Sequence, residues 1–133
     1  MSYFLDTNVI IDAIRNKNPF IRAHFEKTFS SDIFISSIVV AELEFGAAHS
    51  KNYEQNKILF EHFIKEFTIV PFVRDYCAIY GKIRQDLTKI GQNIGLNDLL
   101  IASTAIANGG ILVTHNVGEF SRIPNIVIED WAV

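Results

Sequence analysis

The sequence predicts an α/β fold: a central, mostly parallel β-sheet with helices on both faces. Three observations point there. The strand-like runs, among them "DIFIS", "TIVPF" and "ILVT", are too continuously apolar for strands with one wet face. Segments of helical length and period separate them, the pattern of βαβ units. No repeat, low-complexity segment or linker breaks this alternation. The 133 residues are therefore expected to form one domain, 1–133, long enough to bury a proper core.

Taken in order, Tyr3–Asp6 reads as a short buried strand and Thr7 to Ile14 as a short helix. Asn16–Asn18 is a turn. Pro19 suits the first position of a helix ending near Ser30, where its missing N–H is not needed. "DIFIS" is the second strand. Ser36 and Ser37 then offer side-chain oxygens as N-caps for the helix "IVVAELEFGAAHS". Between Asn52 and Phe67, the residues Phe60, Phe63, Ile64 and Phe67 recur at i, i+3, i+4 and i+7, one face of a helix. "TIVPF" is the third strand. On the next helix Val73, Cys77, Tyr80, Ile83, Leu87 and Ile90 form a stripe, with Gly91 at the C′ position. The lone Cys77 reads as core packing on that stripe. "NDLLIASTAIANGG" is apolar on most sides, a buried helix ended by Gly109 and Gly110, and "ILVT" and "NIVIEDW" supply the last strands.

Composition narrows the function classes. Hydrophobic residues are 49 % and charged residues 20 %, values of a globular rather than a disordered chain. No run approaches the roughly 20 apolar residues of a membrane span, no secretory leader pattern opens the chain, and one cysteine cannot form an internal disulfide. A soluble cytoplasmic protein without membrane contact is expected. Net charge is −3 and the pI about 5.7, which argues against nucleic-acid binding by a broadly basic surface. It leaves room for a nuclease whose acids surround a cation. Eleven phenylalanines are many for this length; most are expected in the core, and any excess would favour a dimer or partner surface.

In open α/β sheets ligands sit outside the carboxyl ends of the strands. Asp6 closes the first strand there, with Thr7 and Asn8 beyond it; it is either the cap of the following helix or a ligand, and position alone leaves both open. Glu42 lies one turn into the helix after the second strand, on an apolar stripe where a charge should be paired or ligating. Asp98 opens the buried helix, where the macrodipole favours an acid and Asn97 is available as its cap. Thr114, His115 and Asn116 follow the "ILV" strand, with Glu119 three residues on, either a ligand or a plain surface acid. Acids gathered at one sheet edge suit Mg²⁺, a hard cation that takes oxygen ligands and substrate phosphate. The scattered His24, His49 and His62 read as surface residues, and no HxxxH, CxxC, GxSxG, Walker or GxGxxG pattern occurs.

These residues, in this order, resemble PIN-domain ribonucleases of the VapC toxin class. The resemblance rests on "FLDTNVII", "ISSIVVAELEFGA", "YGKIRQDLTKIGQNIGLNDLLIASTA" and "LVTHNVGEFSRIPNIVIEDW", and spans essentially the whole chain. It implies a PIN-like α/β/α sandwich and a Mg²⁺- or Mn²⁺-dependent endoribonuclease. The acidic triad then corresponds to Asp6, Glu42 and Asp98. Thr7, Asn8 and Thr114 become orienting residues, with Asn8 directed at Asp6 or at a metal-held water. Many members carry a fourth acid two residues beyond the threonine, where this chain has Asn116; either Glu119 substitutes for it or Asn116 serves as a neutral ligand. The resemblance further implies a homodimer, a VapB-like antitoxin covering an apolar groove and the acidic pocket, operator DNA bound through that antitoxin, and RNA substrates among which tRNA anticodon loops are frequent. Arg15, Lys17, Lys51 and Arg84 are unranked candidates for RNA contacts.

Two other function classes compete. A catalytically weak PIN fold that only binds RNA or a partner is allowed by Asn116. A phosphohydrolase with an aspartyl nucleophile needs a second Asp two residues after the first, where this chain has Asn8.

Overall fold

A computed structural model describes residues 1–133. The strands are β1 (Tyr3–Leu5), β2 (Ile33–Ser36), β3 (Thr68–Val70), β4 (Ile111–Val113) and β5 (Ile128–Glu129). The helices are α1 (Thr7–Arg15), α2 (Pro19–Lys27), α3 (Ser37–His49), α4 (Tyr53–Ile64), α5 (Cys77–Lys89), α6 (Leu96–Ala107) and the single turn α7 (Val117–Phe120). The sheet order is β3-β2-β1-β4-β5, and every neighbouring pair is parallel, as the continuous apolar runs predict. No helix is long and apolar enough to cross a membrane.

That order fixes where a ligand can sit. The chain steps outward from β1 to β2 and β3, then returns to place β4 on the other side of β1. The crevice at such a reversal opens outside the carboxyl ends of the two central strands. Here those strands are β1 and β4, paired in register through Leu5 and Val113. The next residues are Asp6 and Thr114.

Local chemistry sets the element ends. Asn18 caps α2, its Oδ1 accepting from the N–H groups of Phe20 and Ile21, with Pro19 in the first turn. Ser36 caps α3 by accepting from Ile38 N–H. Helices α5 and α6 both end in the glycine motif expected of them. Gly91 and Gly109 adopt φ of +66° and +62°. The following N–H groups reach back to Leu87 O (2.9 Å) and Ala105 O (2.9 Å), satisfying carbonyls that the helix leaves free.

Four expectations need correction. Cys77 is exposed, not core. The stripe that carried it holds only in its middle. Ile83 and Leu87 are buried, but Val73 precedes a 3₁₀ turn (Arg74–Tyr76) and Ile90 is 63 % exposed at the helix end. Helix α4 stops at Ile64, so Phe67 packs from a loop against Phe25 and Phe63 rather than from the helical face. His24 is half-buried, stacked on the buried Trp131 at a ring separation of 5.0 Å, not a free surface residue.

Candidate active site

Asp6 sits where β1 becomes α1. Its extended backbone (φ −74°, ψ 156°) makes it the N-cap, and its Oδ1 accepts from Thr7 N–H (2.8 Å). Its Oδ2 accepts from the Thr114 hydroxyl (2.8 Å), across the junction of β1 and β4. The cap and the site are thus the same side chain with its two oxygens divided between them. Asp6 is buried, and burial outweighs both hydrogen bonds to push its carboxyl above the ordinary Asp range; the charges of Glu42 and Glu119 push the same way.

The other acids arrive from separate elements. Glu42 projects from α3, half-buried, and its Oε1 accepts from the Thr7 hydroxyl (2.6 Å). Thr7 therefore links the first and second acids. Asp98 lies in the first turn of α6. Burial, then the charges of Asp6, Glu119 and Glu42, push its carboxyl up to about 7. Glu119 on α7 moves the other way, held low chiefly by Asn116 Nδ2 (3.0 Å to Oε2) and by Gly95 N–H (3.1 Å to Oε1). Asp98 and Glu119 interact with each other, and the two carboxyls are pushed in opposite directions.

The structure thus draws Asp6, Glu42, Asp98 and Glu119 to one sheet edge. Thr7, Thr114 and Asn116 each hold one of them or its neighbour: the Thr114 hydroxyl also accepts from Asn116 N–H (3.0 Å). Asn8 is the exception. It is exposed and makes no hydrogen bond to Asp6, whose orientation is supplied by Thr7 N–H and Thr114. Asn97 is not the cap of α6 either; that position is Gly95, which has no side chain to offer. His115 turns away to Asp130 (Nδ1 to Oδ2, 3.0 Å). The sequence pattern did not single out Gly95. Glycine is tolerated at the N-cap, and this one leaves its N–H for Glu119.

The donor set fits a hard cation. All four side chains offer oxygen, and burial together with their mutual repulsion raises the Asp98 carboxyl when no cation is there. No three of the chain's His, Cys, Asp and Glu side chains stand close enough together to chelate an ion as placed.

Comparison with known proteins identifies the family. A PIN-domain profile matches residues 3–126. The chain is 44 % identical to ribonuclease VapC2 of Rickettsia felis, with 98 % of each chain covered. It is 38 % identical to the tRNA(fMet)-specific endonuclease VapC of Salmonella typhimurium, again over 98 % of each. Its fold superposes with a TM-score of 0.92 and 42 % identity on a crystal structure of VapBC2 from Rickettsia felis bound to a DNA fragment from their promoter, covering 98 % of this chain and 99 % of that one. With the fold, the sheet order and whole-length likeness in agreement, the chain belongs to the PIN-domain family, among the VapC ribonucleases.

Proposed function

We propose that this protein is the ribonuclease toxin of a VapBC-type toxin–antitoxin module, a metal-dependent endoribonuclease acting on tRNA. The observation that carries the reading is the convergence of four carboxylates, from the β1–α1 junction, α3, α6 and α7, at the β1–β4 reversal point. Asp6, Glu42 and Asp98 would hold Mg²⁺ or Mn²⁺, with Glu119 as the fourth acid in place of the one that Asn116 lacks. The bound ion supplies Lewis-acid polarisation of a phosphoryl oxygen and water of lowered pKa. The protein's part is placement. Thr114 and Thr7 N–H fix Asp6, the Thr7 hydroxyl fixes Glu42, and Asn116 with Gly95 N–H fixes Glu119. Asp98 would join the ligand set as its carboxylate.

The partners follow from the relatives and one surface feature. The Rickettsia structure is a VapBC complex on promoter DNA, which supports a VapB-like antitoxin for this chain and operator DNA bound through it. An apolar groove between α1, α3 and α4, lined by Ile11, Ile14, Leu43, Leu59 and Phe60, has Glu42 at its edge and suits the antitoxin segment. Exposed Phe20, Phe29 and Phe45 support a homodimer or antitoxin contact. The tRNA(fMet) specificity named for the Salmonella relative supports tRNA as substrate, and a tRNA substrate would place the protein's work in the cytoplasm.

Asp6→Asn should abolish Mg²⁺-dependent cleavage of tRNA while the circular dichroism spectrum is unchanged; full activity in that variant would sink the assignment. Calorimetry with Mn²⁺ separates the pure binding-module alternative, which predicts little or no heat.

A further inference from the structure

The four acids account for the cut and not for holding the RNA beside it, since a chain of net charge −3 repels a polyanion. One arginine is built into the rim of the site. Arg122 lies just past α7, its backbone N–H bonded to the Glu119 carbonyl (3.2 Å). Its Nη1 donates to the carbonyl oxygen of Asn93 (3.0 Å), while the Glu119 carboxylate takes the N–H of Gly95 two residues later. Both side chains grip the same short segment, the one that leads into the helix of Asp98.

Arg122 is exposed, and its anchor is neutral. Two other cations are spent on carboxylates, Lys57 on Glu44 and Lys82 on Asp86, and Arg122 differs from the remaining ones in being tied by its side chain to the segment that leads into the helix of Asp98. Arg122 has no acid within ion-pair distance, although its charge reaches Glu119. One of its five N–H donors is used, which leaves the rest of the planar fork for an incoming anion. A guanidinium already held in place loses little entropy on taking a phosphate, and it offers two parallel bonds.

We propose that Arg122 is a substrate-binding residue: anchored on Asn93, its guanidinium takes the RNA phosphate adjacent to the scissile one, on the Asp98–Glu119 side of the carboxylates. The proposal rests on the ribonuclease reading, and binding can be measured apart from cleavage. In an Asp6→Asn background with Mg²⁺, fluorescence anisotropy of a labelled anticodon stem–loop RNA is followed against KCl. Arg122→Gln should weaken binding roughly tenfold at low salt. It should also make the slope of log K against log [KCl] shallower by about 0.7 to 0.9. Arg122→Lys should restore the slope and only part of the affinity, and Lys82→Gln should change neither. An uncharged methylphosphonate at the adjacent position should weaken the parent and leave Arg122→Gln unaffected.

With Asp6 restored, Arg122→Gln should raise KM and leave kcat within about a factor of two. An unchanged salt slope with a lowered Tm would overturn the proposal and make Arg122 a structural tie for residues 93–95. Salt-independent binding by the parent would overturn it as well. If the protein carrying Asp6 binds RNA with the predicted slope change and yet fails to cut, the ribonuclease reading falls and the Arg122 contact stands.

Discussion

Thr114 shows how a single hydroxyl can carry a site. It donates to Asp6 and accepts from Asn116 N–H, and it is fully buried. Thr114→Val keeps the shape and removes both bonds, leaving one buried carboxylate oxygen and one backbone N–H without partners. The expected cost is about 1–3 kcal/mol of stability. Cleavage should fall more than the stability loss accounts for, because Asp6 is freed to rotate and its carboxyl moves further up. Thr114→Ser should recover most of both, read by urea denaturation and by single-turnover cleavage. None of this was visible in "LVTHN" as a string. The threonine stood out as a strand end, but its partner lies more than a hundred residues away, and only the pairing of β1 with β4 brings them together.

At the scale of elements, glycines separate turn chemistry from packing. The C′ glycines after α5 and α6 were legible, because an apolar helical stripe that stops at a glycine marks the left-handed residue of a helix end. Gly110 was read the same way, yet its role is different. A Cβ there would lie 2.5 Å from the ring of Phe4, which stacks on Phe34 inside the sheet. Gly110→Ala should destabilise by roughly 1–3 kcal/mol through overpacking. The activity of the folded fraction should be unchanged, since Gly110 enters β4 at its amino end, away from the acids. Gly81→Ala, in the interior of α5 with open space around it, should instead stabilise by about 0.5–1 kcal/mol. Thermal unfolding should therefore shift in opposite directions for the two variants. The strand ends were legible only approximately. β5 has two residues because Trp131 leaves the ladder to pack against Tyr3, His24 and Phe25.

For the whole molecule, the gathered acids impose a pH dependence. Asp98 titrates near 7 when folded against an ordinary value of 3.8, and Asp6 is also raised. Between those values the folded state binds more protons than the unfolded state. Stability in EDTA should therefore be greatest at the acid end of that window and fall as pH rises through about 7. His24, held below 6.5, acts in the opposite sense as pH falls beneath that value. Asp98→Asn should flatten the decline between about pH 4 and pH 7, which isolates its cause. Saturating Mg²⁺ should reverse the trend, since the ion binds the ionised acids; a hundredfold excess over Kd is worth roughly 2.7 kcal/mol. Urea midpoints across pH, with and without Mg²⁺, read all three effects.

The sequence by itself determined the α/β class, the order of the elements, the glycine helix ends and the acids to inspect. Local period, turn chemistry and strand-end position are properties of neighbouring residues. It also carried the family likeness, which is spread over the whole chain. Only the tertiary structure decided the rest. It placed the reversal point between β1 and β4 and divided the two oxygens of Asp6 between a cap and Thr114. It tied Glu119 to Asn116 and Gly95, left Cys77 outside the core and left Asn8 without a bond to Asp6. The physical reason is that hydrogen-bond partners and charge coupling depend on distance in space, which parallel strand pairing sets between segments far apart in the chain.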